Sequence, residues 1–140
     1  MSTQAPTKPY IFASIAALLI GSGAYSIGLL NTSMELNEKG YYLITLLYGL
    51  YSVISLQKTI RDQAEGIPTT KLYFMISWGS SAIAIALLAI GLVNAEMSLS
   101  EKGFYAMAYT LSLFAAITVQ KNVRDKPQQP AQLQKIAELE

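Results

Sequence analysis

The sequence predicts an all-α membrane protein in which four transmembrane helices form two tandem helical hairpins of the same orientation. Apolar residues make up 52% of the chain and charged residues only 14%, a balance too apolar for an ordinary soluble domain. Segments 10–30 and 72–93 carry no charge and reach the roughly 20 residues that cross a bilayer. Segment 28–62 recurs as 91–125 at a constant offset, which indicates a duplicated unit.

The first charge-free segment is predicted to be an uncut span. Lys8 precedes an apolar run and the small residues 21–24 resemble a processing site, so a cleaved signal peptide is the competing interpretation. The duplication argues against cleavage, because the equivalent third span is uncut in the second copy. Removal of the first span would also destroy the pairing that the duplication preserves.

The second and fourth spans are predicted from the shorter charge-free segments 41–56 and 104–119. Either segment alone could be a buried helix of a soluble protein. Their place in the repeat predicts that both cross the membrane, since omitting one would leave its partner's loop on the wrong side of the bilayer.

Polar residues beside the spans predict where three of the helices begin. Asn37 and Ser100 are suited to cap the second helix of each hairpin, and residues 68–70 (Pro-Thr-Thr) offer a cap for the third span. Aromatic residues near the span ends predict an interfacial belt: Tyr10, Tyr41, Tyr42, Tyr73, Trp78, Phe104 and Tyr105.

These boundaries divide the chain into five parts. They are an N-terminal tail (1–8), a first two-helix repeat (9–62), a linker (63–71), a second two-helix repeat (72–125) and a C-terminal tail (126–140) that is expected to end in a short helix.

The distribution of basic residues predicts the orientation. All but two of the ten Lys and Arg residues lie in the two tails and the middle loop, and only Lys39 and Lys102 lie in the other loops. By the positive-inside rule both termini face the cytoplasm. Because each copy has two spans, the copies run in the same direction, which excludes an inverted-repeat transporter.

The composition excludes several classes of function. The net charge is +1 without a run of like charge, so binding of nucleic acid is not expected. The chain has no Cys and no His, which removes thiolate chemistry and the usual zinc sites. No Asp or Glu lies within the four charge-free segments, which disfavours proton-coupled transport. We therefore expect no enzymatic activity, metal or cofactor.

Two duplicated motifs supply the candidate interaction positions. The first is the Glu-Lys-Gly of the short loops, with Glu38 and Lys39 in one copy and Glu101 and Lys102 in the other. Hairpins packed side by side would bring these charges together, where they could bind a lipid head group, an ion or a partner loop. The alternative interpretation is helix capping beside a glycine that permits a tight turn.

The second motif is Gln-Lys-x-x-Arg-Asp at the far end of each repeat, with candidates Gln57, Arg61, Gln120 and Arg124. The glutamines could form a hydrogen bond across the bundle. Helix termination, snorkelling and control of topology are the alternative explanation for the basic residues.

The motifs Asn-x-x-Met-x-Leu-x-Glu-Lys-Gly-[Tyr/Phe]-Tyr and Gln-Lys-x-[Ile/Val]-Arg-Asp, each present twice, resemble those of the YiaA/YiaB family in its two-copy form. The resemblance covers nearly all of residues 10–125. It implies a two-helix unit and a place in the bacterial inner membrane, and it brings no activity, substrate or site residue.

The sequence therefore predicts a multi-pass inner-membrane protein that is an accessory or stress-related component rather than an enzyme. Its expected partners are the lipid bilayer, another copy of itself or another membrane protein. The alternative is a small oligomeric pore or uncoupled carrier, which would be lined by hydroxyl side chains: Ser14, Ser22, Ser26, Thr45, Ser52, Ser77, Ser81 and Thr110.

Overall fold

The computed structural model describes residues 5–125 and 139, and these contain four α-helices and no strand. They are α1 (Lys8–Leu30), α2 (Leu36–Ala64), α3 (Lys71–Asn94) and α4 (Leu99–Asp125). Each is long and apolar enough to cross a membrane, which confirms the predicted all-α fold with four spans. The predicted helix in the C-terminal tail lies outside the described residues.

The helix starts agree with the sequence prediction in one place and differ in two. Thr70 caps α3, where its hydroxyl accepts a hydrogen bond from the Tyr73 N–H at 3.1 Å. The predicted caps Asn37 and Ser100 are wrong, because α2 begins after Glu35 and α4 after Ser98. The reason is a capping box, in which a carboxylate three residues into the helix reaches back to the backbone N–H of the cap.

The helices pack mainly between the repeats rather than within them. Helix α1 lies against α4, α3 lies against α2, and the second helices α2 and α4 contact each other at the centre. The two helices of one hairpin make few contacts. Each first helix therefore depends on the other repeat for its packing surface.

Glycines permit the closest approaches between the repeats. A Cβ atom at Gly21 of α1 would lie 2.7 Å from the Ser112 hydroxyl and 3.2 Å from the Ala108 carbonyl oxygen of α4. Gly91 of α3 meets the Tyr41 ring of α2 in the same way, at 2.8 Å. Small residues allow membrane helices to pack in van der Waals contact without a hydrophobic driving force.

Tyrosines fill the centre of the bundle. Tyr25 is fully buried, and its hydroxyl donates to the Tyr42 carbonyl oxygen at 2.8 Å. Its ring meets the Tyr105 ring edge-on at 5.6 Å, a favourable aromatic geometry. Tyr109 donates to the carbonyl oxygen of Thr45 at 3.1 Å. Tyr42 and Tyr105 are thus core residues, and their assignment to the interfacial belt is wrong because their rings turn inward between the repeats.

Large apolar side chains cover the outward faces of the helices, and the other described residues leave them exposed. Phe12, Leu19, Tyr51 and Met107 are each between 67% and 74% exposed. Such a surface is costly in water and is well solvated by lipid chains. The bundle therefore buries tyrosines, leucines and hydroxyl side chains and presents large apolar side chains outward, as a membrane-embedded unit requires.

Candidate functional site

The four charged residues of the short loops line different pockets or make different contacts. Glu38 lines pockets of about 300 and 320 Å³ beside the end of α3, whereas Glu101 lines a pocket of about 360 Å³ beside the end of α1. Lys39 donates to the Leu30 carbonyl oxygen at 3.3 Å, and Lys102 lines a different, apolar groove. Each of these four pockets is lined by one of Glu38, Glu101 and Lys102 and by none of the other charges of the motif.

Both loop glutamates act as capping residues. The Glu38 carboxylate accepts a hydrogen bond from the Glu35 N–H at 3.3 Å, and the Glu101 carboxylate accepts one from the Ser98 N–H at 3.2 Å. Negative charge in the first turn also favours the helix dipole. Binding of a ligand by these glutamates stays a prediction.

The second motif forms an ion-pair cluster that joins the ends of α2 and α4. This Arg–Asp cluster consists of Arg61, Asp62, Glu65, Arg124 and Asp125. Arg61 donates to Asp125 at 2.5 Å, and in the reciprocal pair Arg124 donates to Asp62 at 2.8 Å. The arginine of each repeat thus pairs with the aspartate of the other.

Glu65 and two lysines extend the ion pairs of the Arg–Asp cluster. Glu65 accepts hydrogen bonds from Arg124 at 2.6 Å and from Arg61 at 3.3 Å. The hydrogen bond from Arg124 lowers the pKa of the Glu65 carboxyl below its usual value. Lys58 and Lys121 each pair with the aspartate four residues later, at 2.9 and 2.7 Å.

The burial of the Arg–Asp cluster shows which members depend on a partner. The side chains of Asp62 and Asp125 are 7% and 8% exposed, against 19% and 20% for Arg61 and Arg124. A nearly buried carboxylate is strongly destabilising when it loses its partner. The guanidinium groups are therefore occupied by protein, and the arrangement binds the two repeats together.

The glutamines of the motif do not provide the predicted hydrogen bond across the bundle. Gln57 and Gln120 are half-buried, and within the described residues neither side chain has a hydrogen-bond partner. The polar link lies elsewhere: the buried amide of Asn122 donates to the Ser14 hydroxyl at 3.0 Å. The first repeat has Thr59 in place of Asn122, so the duplicated motif carries no signal for this bond.

The described residues also form one large lateral groove between α3 and α4, with a volume of about 830 Å³. Val53 of α2 contributes to its wall, and Lys102 is its one charged lining residue. The other lining residues are mainly apolar: Ile85, Leu88, Ala89, Leu92, Val93, Leu99, Gly103, Ala106, Tyr109, Thr110, Leu113, Phe114 and Ile117. In residues 5–125 and 139 no group of three or more carboxylates is placed to hold a metal ion.

The Arg–Asp cluster gives a prediction with a matched control, because two cations contact Asp62 at similar distances. Replacing Arg124 by Gln should lower the free energy of unfolding by about 1 to 3 kcal/mol, since it leaves buried Asp62 with less compensation and also removes a bond to Glu65. Replacing Lys58 by Gln should cost about 0 to 1 kcal/mol, because Lys58 is 55% exposed. Unfolding in mixed detergent micelles measures both changes, and equal losses would contradict this assignment.

Similarity to known proteins identifies the family of this chain. The family described as the yiaA/B two helix domain matches the chain twice, at residues 10–62 and 73–125. The "Inner membrane protein YiaA" of Escherichia coli (strain K12) is 51% identical over 125 residues, which cover 89% of this chain and 85% of that protein. No solved structure matches.

A second relative matches only part of the chain. The "Uncharacterized membrane protein YubF" of Bacillus subtilis (strain 168) is 48% identical over 42 residues, which cover 29% of this chain and 48% of that protein. The two family matches and the longer relative confirm the resemblance drawn from the repeated motifs. The chain therefore belongs to the YiaAB family, as a multi-pass protein of the bacterial inner membrane with two copies of the family's two-helix domain.

Proposed function

We propose that this protein is a non-enzymatic accessory component of the inner membrane that acts through lateral contacts inside the bilayer. The observation that carries the proposal is the α3–α4 groove, which opens sideways between two spans and is lined almost entirely by apolar side chains. Recognition through such a surface requires an apolar partner.

The use of the charged side chains also supports this function. The arginines and aspartates of the Arg–Asp cluster are paired with each other, and the loop glutamates cap helices. A catalytic site needs titratable groups that face a substrate. The charges described here face partners within the chain, which favours a structural role for them.

Several of the hydroxyl groups that a pore would require are buried or are bonded within their own helix. Thr45, Ser81 and Thr110 each donate to the carbonyl oxygen four residues earlier in their own helix. Ser52 and Ser77 are buried between helices of one chain. These contacts favour the accessory role over the pore, and sustained flux of small solutes through protein-containing liposomes would reverse that preference.

We further propose that both termini and the α2–α3 linker face the cytoplasm. The excess of basic residues at that end of the bundle supports this orientation. The Arg–Asp cluster would then lie at the cytoplasmic surface, and Lys39 and Lys102 would lie at the opposite one.

Lateral contact predicts a specific crosslinking pattern in cells. A photo-crosslinking amino acid at Ala106, in the α3–α4 groove, should give a discrete adduct because it would touch a retained partner. The same amino acid at Leu19, which is 67% exposed outside the groove, should give only diffuse labelling. Mass spectrometry of the crosslinked products identifies the adducts. Identical labelling at the two positions would contradict the proposed function.

The orientation can be measured because the chain has no cysteine. Single cysteines replacing exposed Gln63 and exposed Glu96 place one thiol in the last turn of α2 and one in the α3–α4 loop. A membrane-impermeant maleimide added to intact spheroplasts should label position 96, and should label position 63 only after lysis. The reverse pattern would contradict cytoplasmic termini.

A further inference from the structure

We propose that the α3–α4 groove is a binding site for one membrane phospholipid, with an acyl chain between the two helices and the phosphate at Lys102. This proposal rests on the lateral contact proposed above and names its occupant. It draws on the shape of the groove, on the chemistry of its lining and on a difference between the two repeats.

The groove is a consequence of how the repeats pack. Helix α3 is held by α2, and α4 is held by α1 and α2, so α3 and α4 make few contacts with each other. The space between them is walled by Leu88 and Leu92 of α3 and by Leu113 of α4. An open space of this kind within the hydrocarbon region must be filled by apolar groups, because empty volume forfeits dispersion contacts.

The α3 wall of the groove has a length that suits an acyl chain entering from one leaflet. On α3 the lining runs from Val93 to Ile85, which is about 12 Å at 1.5 Å per residue. Half of a hydrocarbon core of about 30 Å is about 15 Å. The α3 wall therefore matches one leaflet. The α4 wall is longer, since its lining runs from Leu99 to Ile117, about 27 Å, and both walls begin at the same end as Lys102.

The size and walls of the groove favour a lipid chain over a helix. Its volume of about 830 Å³ lies within the roughly 300–1,000 Å³ of pockets that enclose one small ligand. Close docking of a helix needs small residues along the contact surface. The α4 wall contains the small residues Gly103 and Ala106. The α3 wall, however, presents bulky side chains such as Ile85, Leu88 and Leu92, which would keep a helix at a distance.

The charge at the mouth of the groove identifies the head group. Lys102 is half-buried and is the one charged residue in the lining. Its repeat equivalent Lys39 donates to the Leu30 carbonyl oxygen, whereas Lys102 has no hydrogen bond or ion pair to another described residue. An ammonium group beside an apolar groove complements a phosphate attached to an acyl chain.

The duplication provides matched variants for the test. Lys102→Gln removes the proposed phosphate ligand, and Lys39→Gln removes the equivalent lysine outside the groove. Gly103→Leu places a side chain at the groove mouth, where a Cβ atom meets no neighbour within 4 Å. Gly40→Leu is its control, since a Cβ atom at Gly40 also meets nothing within 4 Å.

The experiment is native mass spectrometry of the full-length protein released from nanodiscs that contain equimolar phosphatidylglycerol and phosphatidylethanolamine. The wild type, Lys39→Gln and Gly40→Leu should each retain one phospholipid. Lys102→Gln should reduce retention about tenfold, as expected for loss of one charge-assisted hydrogen bond, and Gly103→Leu should reduce it at least as far. Equal elution volumes from size-exclusion chromatography establish that all four variants are folded.

Three outcomes would overturn the lipid assignment: no retained phospholipid in the wild type, equal retention in Lys102→Gln and Lys39→Gln, or equal retention in Gly103→Leu and Gly40→Leu. The proposed function is tested separately by crosslinking at Ala106. A discrete protein adduct there, together with no retained lipid, would sustain lateral contact and reject the phospholipid. Loss of both signals would reject the two proposals together.

Discussion

The packing of each first helix against the second helix of the other repeat is the contact on which the rest of the structure depends. Because α1 lies on α4 and α3 lies on α2, neither hairpin has a complete core of its own. The central tyrosines also pack between the repeats, since Tyr25 of the first repeat contacts Tyr105 and Tyr109 of the second. The folded unit is therefore the pair of repeats.

The packing between the two repeats explains the ion pairs at the ends of α2 and α4. A single repeat would leave Asp62 or Asp125 without the arginine that compensates it in the tandem protein. Pairing between the copies satisfies both nearly buried carboxylates at once. The same residues that resemble ordinary topology signals thus also fix the relative position of the repeats.

The four spans, their duplication and the Thr70 cap could be predicted from the sequence because they depend on local composition and on residues near in the chain. Helix pairing could not, since a charge-free segment indicates crossing of the bilayer and says nothing about its neighbour. Tyr42 and Tyr105 resemble belt residues by position, and only the inter-repeat contact turns them inward. The ion pair between Arg61 and Asp125 could not be predicted either, because the two residues lie far apart along the chain.

The candidate interaction residues could be found in the sequence because they lie in repeated motifs. Their roles could not be predicted, because these depend on which residues meet in the folded chain. Glu38 and Glu101 share a capping function because their local sequences are alike. Lys39 and Lys102 diverge, because one reaches the end of α1 and the other lines the α3–α4 groove. Duplicated residues can therefore make different contacts in the two copies.

Disulfide trapping in isolated membranes tests the exchanged packing most directly, since the native chain has no cysteine. Gly21→Cys with Ser112→Cys joins α1 and α4, where the side chains would be close enough for a disulfide. Ala84 occupies the position of Gly21 in the second repeat, so Ala84→Cys with Ser112→Cys is the matched pair within one hairpin. Packing of α1 against α4 predicts rapid crosslinking of the 21–112 pair and little of the 84–112 pair; the reverse result would contradict this packing.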